Sequence, residues 1–259
     1  LGQKGLIYDA LVSPWLAFLG LFVMIVVAVE FGRWLGRRNG ELPGSGAADG
    51  AIFAILGLII AFSFSGAASR FDERRDLIVQ EANAVGTAVL RIDLLPADAQ
   101  PAMRAAFKAY VDARIAAYGV VQDEAQFRAR LGVANRLSAG IWQQAIAAGK
   151  RPDAVPAVNM LLLPALNEMI DLTTTRAAAM LMHPPLVVGY MLIGLALVSA
   201  MLAGTGFARA PRARLVHELA FAIIMASMIF ITLDLEYPRA GVLRVDDFER
   251  AVVDLSRLG

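Results

Sequence analysis

Long uncharged apolar runs alternate along this chain with mixed, amphipathic stretches. The first run, WLAFLGLFVMIVVAV from Trp15 to Val29, reaches spanning length once Leu11 and Val12 are counted with it. Trp15 and Trp34 flank it, roughly 28 Å apart along a helix, so one indole can sit at each headgroup level. AVEFGRW follows without a small-x-small cleavage pattern, so the run reads as a retained anchor. Gly50 to Ser69 is likewise uncharged, about the 20 residues a helix needs to cross a hydrocarbon core. It then becomes charged with no Gly-Pro break. Read as one helix, Ala51 to Asp93 is roughly 64 Å long, about twice the core thickness. Its second half must therefore be the first wall of a domain outside the lipid.

Two further runs close the set. After the His183-Pro184-Pro185 break comes LVVGYMLIGLALVSAMLAGTGF. The last, LAFAIIMASMIFITL, lies between Glu218 and Asp234 and covers roughly 22 Å, short of a 30 Å core. Counting its helix from Leu215 puts Glu218 in the first turn, where the dipole favours a negative charge, and Asp234 at the disfavoured end.

Between the second and third runs the pattern turns to a 3.6-residue period. Ser69 to Asp76 is crowded with mixed charges and reads as a solvated helix surface; Asn83, Thr87 and Arg91 then make a polar line opposite Val79, Ala82 and Leu90. Three more helices are expected: one capped by Asp98 and ending at Gly119, one starting at Asp123 with Phe127, Leu131, Leu137 and Trp142 buried, and one from about Val155 to Met182, kinked at Pro164. The fold class is all-α: an integral membrane protein with four transmembrane helices and a helical-bundle extramembrane domain inserted between helices 2 and 3. The expected divisions are 1–69 for spans 1 and 2, 70–183 for the helical domain, and 184–235 for spans 3 and 4. A C-terminal segment, 236–259, is expected to pack on that domain.

Composition agrees and narrows the chemistry. At 58% hydrophobic and 18% charged, the 259 residues are too apolar for an ordinary soluble domain. A net charge of +1 offers no basic field for nucleic acid. There is no Cys, and His183 and His217 lack ligand spacing, so no metal or cofactor is expected. The spans offer Ser63, Ser65, Ser199, Ser227 and Thr232 without a partnering His or Lys, which argues against an enzyme.

Two constellations carry functional weight. In the second span Gly57, Ala61, Ser65 and Ser69 recur every four residues as a stripe of small side chains, beside a bulkier stripe of Leu56, Ile60 and Phe64. The small stripe suits close helix packing; the bulky one, in an oligomer, could line a pore and gate by dewetting. Periodicity alone does not separate the two. The second constellation is acidic: Asp234 or Glu236 is expected to pair with Arg70, Arg74 or Arg239 where helix leaves membrane, since ionisable residues at that depth need partners. Arg33, Arg37 and Arg38 in one loop and Arg209, Arg212 and Arg214 in another share one side, which the positive-inside rule makes cytoplasmic. The helical domain and both termini then lie on the non-cytoplasmic side.

Two blocks, FAILGLIIAFSFSGAASRFDERRDLIVQEANAVGTAVLRIDLLP and LDLEYPRAGVLRV, resemble the bacterial bestrophin-like family. The family is distantly similar to bestrophins, pentameric anion channels with four membrane helices per subunit. The resemblance implies a homo-oligomeric ion channel of the bacterial inner membrane, pentameric and anion-conducting, lined by the second helix, with Leu56, Ile60 and Phe64 at the apolar one-turn spacing. Bestrophins keep the helical domain in the cytosol, opposite to the Arg count here. Asp246, Asp247 and Glu249 lack the spacing of their calcium clasp. The alternative is a non-conducting scaffold or envelope sensor that binds a partner through its helical domain.

Overall fold

The computed structural model describes residues 14–39, 45–120, 123–209 and 214–236. Among these residues there is no strand. In order come α1 (Pro14–Asn39), α2 (Ser45–Leu90), a 3-10 turn (Arg91–Leu94), α3 (Gln100–Tyr118), α4 (Glu124–Gly149) and a π turn (Val158–Leu162). α5 (Leu163–Leu181), α6 (Leu186–Gly206), a 3-10 turn (Phe207–Arg209) and α7 (Arg214–Glu236) complete it. Stretches in α1, α2, α6 and α7 are long and apolar enough to cross a membrane, so this is a multi-pass membrane protein. The chain divides into two compact units after Phe71 and again after His183. α2 runs unbroken for 46 residues and supplies helix to both.

The membrane unit packs α1, α2, α6 and α7 around Leu21, Ile25, Val29, Leu56, Ile60, Leu192, Ala196, Ala200, Ala222, Ala226 and Ile229. α1 and α6 approach backbone to backbone. A Cβ on Gly32 would overlap the Met201 carbonyl, and one on Gly36 would lie 2.9 Å from the Thr205 carbonyl oxygen. In lipid, where burial from water drives little, such van der Waals contact between small residues is what associates helices. α2 meets its neighbours through larger groups, as in the edge-to-face contact of Phe53 with Phe221 at 6.4 Å. α7 is longer than its uncharged run. Its 23 residues span roughly 34 Å, enough for the core. Because it starts at Arg214, Glu218 falls beyond the first turn, where the dipole contributes little. Glu218 is buried and lies 4.0 Å from Arg33 of α1. Arg33 in turn donates to Glu30 at 2.6 Å.

The helical unit has Ile78, Val85, Ala88, Ile92, Met103, Phe107, Phe127, Ile141, Leu166 and Met169 buried. Asp123 caps α4 by accepting from the Gln126 backbone N–H at 3.0 Å. Asp98 does not cap α3: the N-cap is Ala99 without a side-chain bond, and the Asp98 carboxylate accepts from Arg151 instead, at 2.7 Å. Pro164 cannot donate to the Met160 carbonyl, and the chain answers with the π turn just before it, where the extra residue per turn relaxes the ladder. The buried face of α2 here differs from the expected one. Val79 and Leu90 are exposed, Ala82 is buried as expected, and Glu81 is buried beside Ile78 and Val85. Arg74 is also buried, not solvated.

Candidate functional site

The stripes on the second span separate cleanly by burial. Leu56 is 2% exposed and Ile60 is buried with it, so both side chains point into the core of their own chain. Phe64 stands at 37%. The outward apolar positions are Leu58 at 55% and Phe62 at 71%, one turn apart, with Ile55 beside them. Gly57, Ala61, Ser65 and Ser69 lie on exposed positions too, and a Cβ at Gly57 would meet nothing within 4 Å. Within the chain, the small-residue contact is made by Gly32, Gly36 and Gly204. The signal was present in the sequence: Gly32 and Gly36 form a G-x-x-x-G in the first span.

Among the junction residues, Arg70 and Glu236 are brought together. Arg70 Nε donates to both carboxylate oxygens, at 3.0 and 3.2 Å, and its Nη2 also meets Oε1. Glu236 is buried whereas Arg70 keeps about a third of its side chain exposed. This fork geometry satisfies a carboxylate that helix end and depth would otherwise penalise. Asp234 is buried on α7. Arg74 sends its guanidinium to the end of α5, donating to the carbonyls of Ala179 at 3.3 Å and Met182 at 2.9 Å. A cation on those last carbonyls suits the helix C-terminus. Arg239 and the expected packing of the C-terminal segment lie outside the described residues.

A second charged assembly sits inside the helical unit, and sequence reasoning missed it. Glu81 of α2 accepts from Arg114 Nε of α3 at 2.7 Å and from Arg176 Nη1 of α5 at 2.6 Å, all three being 2–3% exposed. Tyr118 lies between the cations: Arg176 sits 3.7 Å and Arg114 4.9 Å from its ring centroid, and Arg114 Nη2 donates to its hydroxyl at 3.1 Å. Nearby, the Tyr110 hydroxyl is 2.7 Å from Thr173 Oγ1. Because Thr173 donates to the Met169 carbonyl, Tyr110 is the donor of that pair. Burial pushes Tyr110 up to about 12 and raises Tyr118 as well. Burial opposes the charged form of Arg114, yet the Glu81 carboxylate keeps it firmly protonated. The available signal was a charged residue flanked at i−3 and i+4 by Ile78 and Val85.

No group of three or more His, Asp or Glu among the described residues could hold a metal ion. What the arrangement offers is a set of four membrane helices with one face of α2 turned outward.

No curated protein matches the chain significantly. Solved structures do match its fold. A bacterial bestrophin homologue from Klebsiella pneumoniae superposes with a TM-score of 0.69 at 14% identity, covering 95% of this chain and 99% of that one. A tryptophan-to-alanine variant of that homologue gives 0.68 at 17% identity, with 94% and 97% covered. The Bestrophin-like domain profile matches residues 17–248, nearly the whole sequence, and the chain belongs to the Bestrophin-like family.

Proposed function

We propose that this protein is a homo-oligomeric bestrophin-type ion channel whose conduction path is lined by the outward face of α2. The observation that carries the reading is the split on that helix. Leu56 and Ile60 are consumed by the core of one chain, while Leu58 and Phe62 project away from it and are followed by Ser65 and Ser69 on the exposed side. An apolar pair one turn apart that gives way to hydroxyl positions suits a narrow dewetting constriction opening into a wetted stretch. The face lies two residues, roughly 200° around the helix, from the Leu56 and Ile60 positions of the stripe the spacing suggested.

The reading requires oligomerisation, since a path lined by the outward face of α2 is enclosed only when further copies supply its other walls. A pentamer is the stoichiometry the resemblance implies. Anion preference comes from the same source, and the pairing of buried Glu236 with Arg70 supports it by neutralising an acid that would otherwise favour cations. Arg37 and Arg38 in the last turn of α1 support a cytoplasmic position for that end in the inner membrane. The helical domain is then on the opposite side. Because the chain has no native cysteine, a single Gly46→Cys probe labelled from one side of intact cells reads this directly.

The deciding measurement is halide flux into liposomes carrying the purified protein. Flux that rises or changes selectivity in Phe62→Ala supports the reading; absence of flux across several lipids and voltages overturns it.

A further inference from the structure

α1 turns one strip of its surface away from the rest of the membrane unit. Gly32 and Gly36 press against α6, and Trp34, two residues from each, stands roughly 200° around the helix from both. Leu19, Val23, Val27 and Phe31 are exposed and continue the strip toward the other end of α1. From Leu19 to Phe31 it covers ~18 Å of helix, slightly more than the ~15 Å that the hydrocarbon of one leaflet occupies. At its end the strip becomes aromatic and then basic.

The aromatic and basic end has a defined geometry. Phe31 and Trp34, both half-exposed, stack with ring centroids 5.8 Å apart and planes 23° from parallel. The Arg38 guanidinium lies 5.4 Å from the Trp34 ring centroid, a cation–π contact that holds the charge at the level of the indole. Arg37 and Arg38 are both exposed in the last turn of α1. The carboxylate on this strip, Glu30, accepts from Arg33 at 2.6 Å, and Glu218 lies 4.0 Å from the same guanidinium. Arg37 and Arg38 form no ion pair among the described residues.

An apolar strip one leaflet long, then an indole at headgroup depth, then two guanidiniums, follows the order of parts in a phospholipid: acyl chain, ester, phosphate. Guanidinium forks match phosphate oxygens. A choline headgroup would bring its own cation against Arg37 and Arg38, so charge complementarity favours a headgroup that is anionic overall.

We propose that this strip of α1 binds one anionic phospholipid, with its phosphate on Arg37 and Arg38 beside Trp34 and an acyl chain along Phe31, Val27 and Val23. The proposal rests on α1 crossing the bilayer and not on conduction, so its test reads lipid binding and not flux.

The full chain, purified in an uncharged detergent, is offered equimolar phosphatidylglycerol and phosphatidylcholine with identical chains, and the lipid it retains is counted by native mass spectrometry. The protein should retain phosphatidylglycerol in preference. A basic residue beside an anionic headgroup contributes about fivefold in affinity, so Arg37→Gln with Arg38→Gln should reduce the preference by tenfold or more. Trp34→Leu should weaken it by a smaller factor. Arg136→Gln, at an exposed cation of the helical unit, should leave it unchanged. Soluble glycerol phosphate in excess should not displace the lipid; displacement would mark a site for a free anion and overturn the lipid. Equal retention of the two lipids by the unmodified protein, or an undiminished preference in the double variant, would mean ordinary boundary lipid and overturn the site. No retained lipid, together with smaller assemblies in the double variant, would show that a second copy covers the strip, which also overturns it. The comparison of the two lipids uses the unmodified protein and stands even if a variant does not fold.

Discussion

Gly204 of α6 lies so close to the α1 backbone that a Cβ there would overlap the Val29 carbonyl oxygen and stand 2.9 Å from the Arg33 nitrogen. Backbone has nowhere to move inside two packed helices, so the interface admits only hydrogen at this position. Gly204→Ala should cost about 1–3 kcal/mol through overpacking, read as a fall in Tm of the detergent-solubilised protein. Gly57→Ala is the matched control, because a Cβ at Gly57 meets nothing within 4 Å. There alanine should be neutral or raise Tm through its better helix propensity. Equal losses at both glycines would show that the α1–α6 contact is not what holds this unit.

In the helical unit, Glu81→Gln removes the carboxylate that Arg114 and Arg176 share while keeping side-chain shape. Breaking a buried ion cluster from one side leaves desolvated charge behind and should cost roughly 3–5 kcal/mol in unfolding experiments. Adding Arg176→Met to that variant removes one of the two buried cations that Glu81 had held. The double variant should therefore be more stable than Glu81→Gln alone, a non-additivity that a double-mutant cycle measures. Simple addition of two losses would mean that the cluster is not coupled.

The tyrosines beside that cluster set an alkaline limit. The folded-state value of Tyr110 is raised by burial to about 12, above the ordinary 10. Between those values the folded protein holds a proton that the unfolded chain has released. The stabilising contribution is thus complete below pH 10 and is lost as pH rises through 12. Ultraviolet titration at alkaline pH should show a late-ionising tyrosine that disappears in Tyr110→Phe. That variant also loses the donor to Thr173, at about 1 kcal/mol.

How much of this was legible in the residues depends on what each property responds to. The four spans and the inserted helical domain follow from run length and period, which are local, and the sequence carries them openly. The Asp123 cap is equally local. Asp98 looked the same on paper, but Arg151, 53 residues away, takes its carboxylate. Glu81 was invisible for the same reason, since its partners on α3 and α5 become neighbours only when the unit folds. On α2, two stripes of similar character run side by side, and only packing against α1, α6 and α7 decides which is spent inside. The Gly32-x-x-x-Gly36 spacing was legible yet overshadowed by the longer small-residue stripe of the second span.

The junction pair makes an asymmetric prediction. Glu236 is buried and Arg70 is partly exposed, so removing the cation takes the fork from a desolvated acid, whereas removing the acid frees a guanidinium that can reach water. Arg70→Ala should therefore lower Tm more than Glu236→Gln does, and Arg70→Lys should recover only part of the loss because an ammonium cannot present the same fork. Thermal unfolding of the three variants gives the order. A larger loss in Glu236→Gln than in Arg70→Ala would show that the pair is held by its environment and not by charge.

The most discriminating comparison lies within two turns of α2. Leu56→Ala opens a cavity in the core shared with α1, α6 and α7. In lipid the water-transfer part of the cost is largely missing, so the loss should be roughly 1–2 kcal/mol, from lost packing alone. Ion flux per folded protein should be unchanged. Leu58→Ala and Phe62→Ala remove side chains that touch little within the chain, so Tm should move by less than about 0.5 kcal/mol equivalent. If this face lines the path, widening it should instead change unitary conductance and the relative permeability of large and small anions, the larger effect at the more exposed Phe62. Flux that responds to Leu56 and ignores Phe62 would place the path on the other side of the helix and return the constriction to the Leu56, Ile60 and Phe64 stripe.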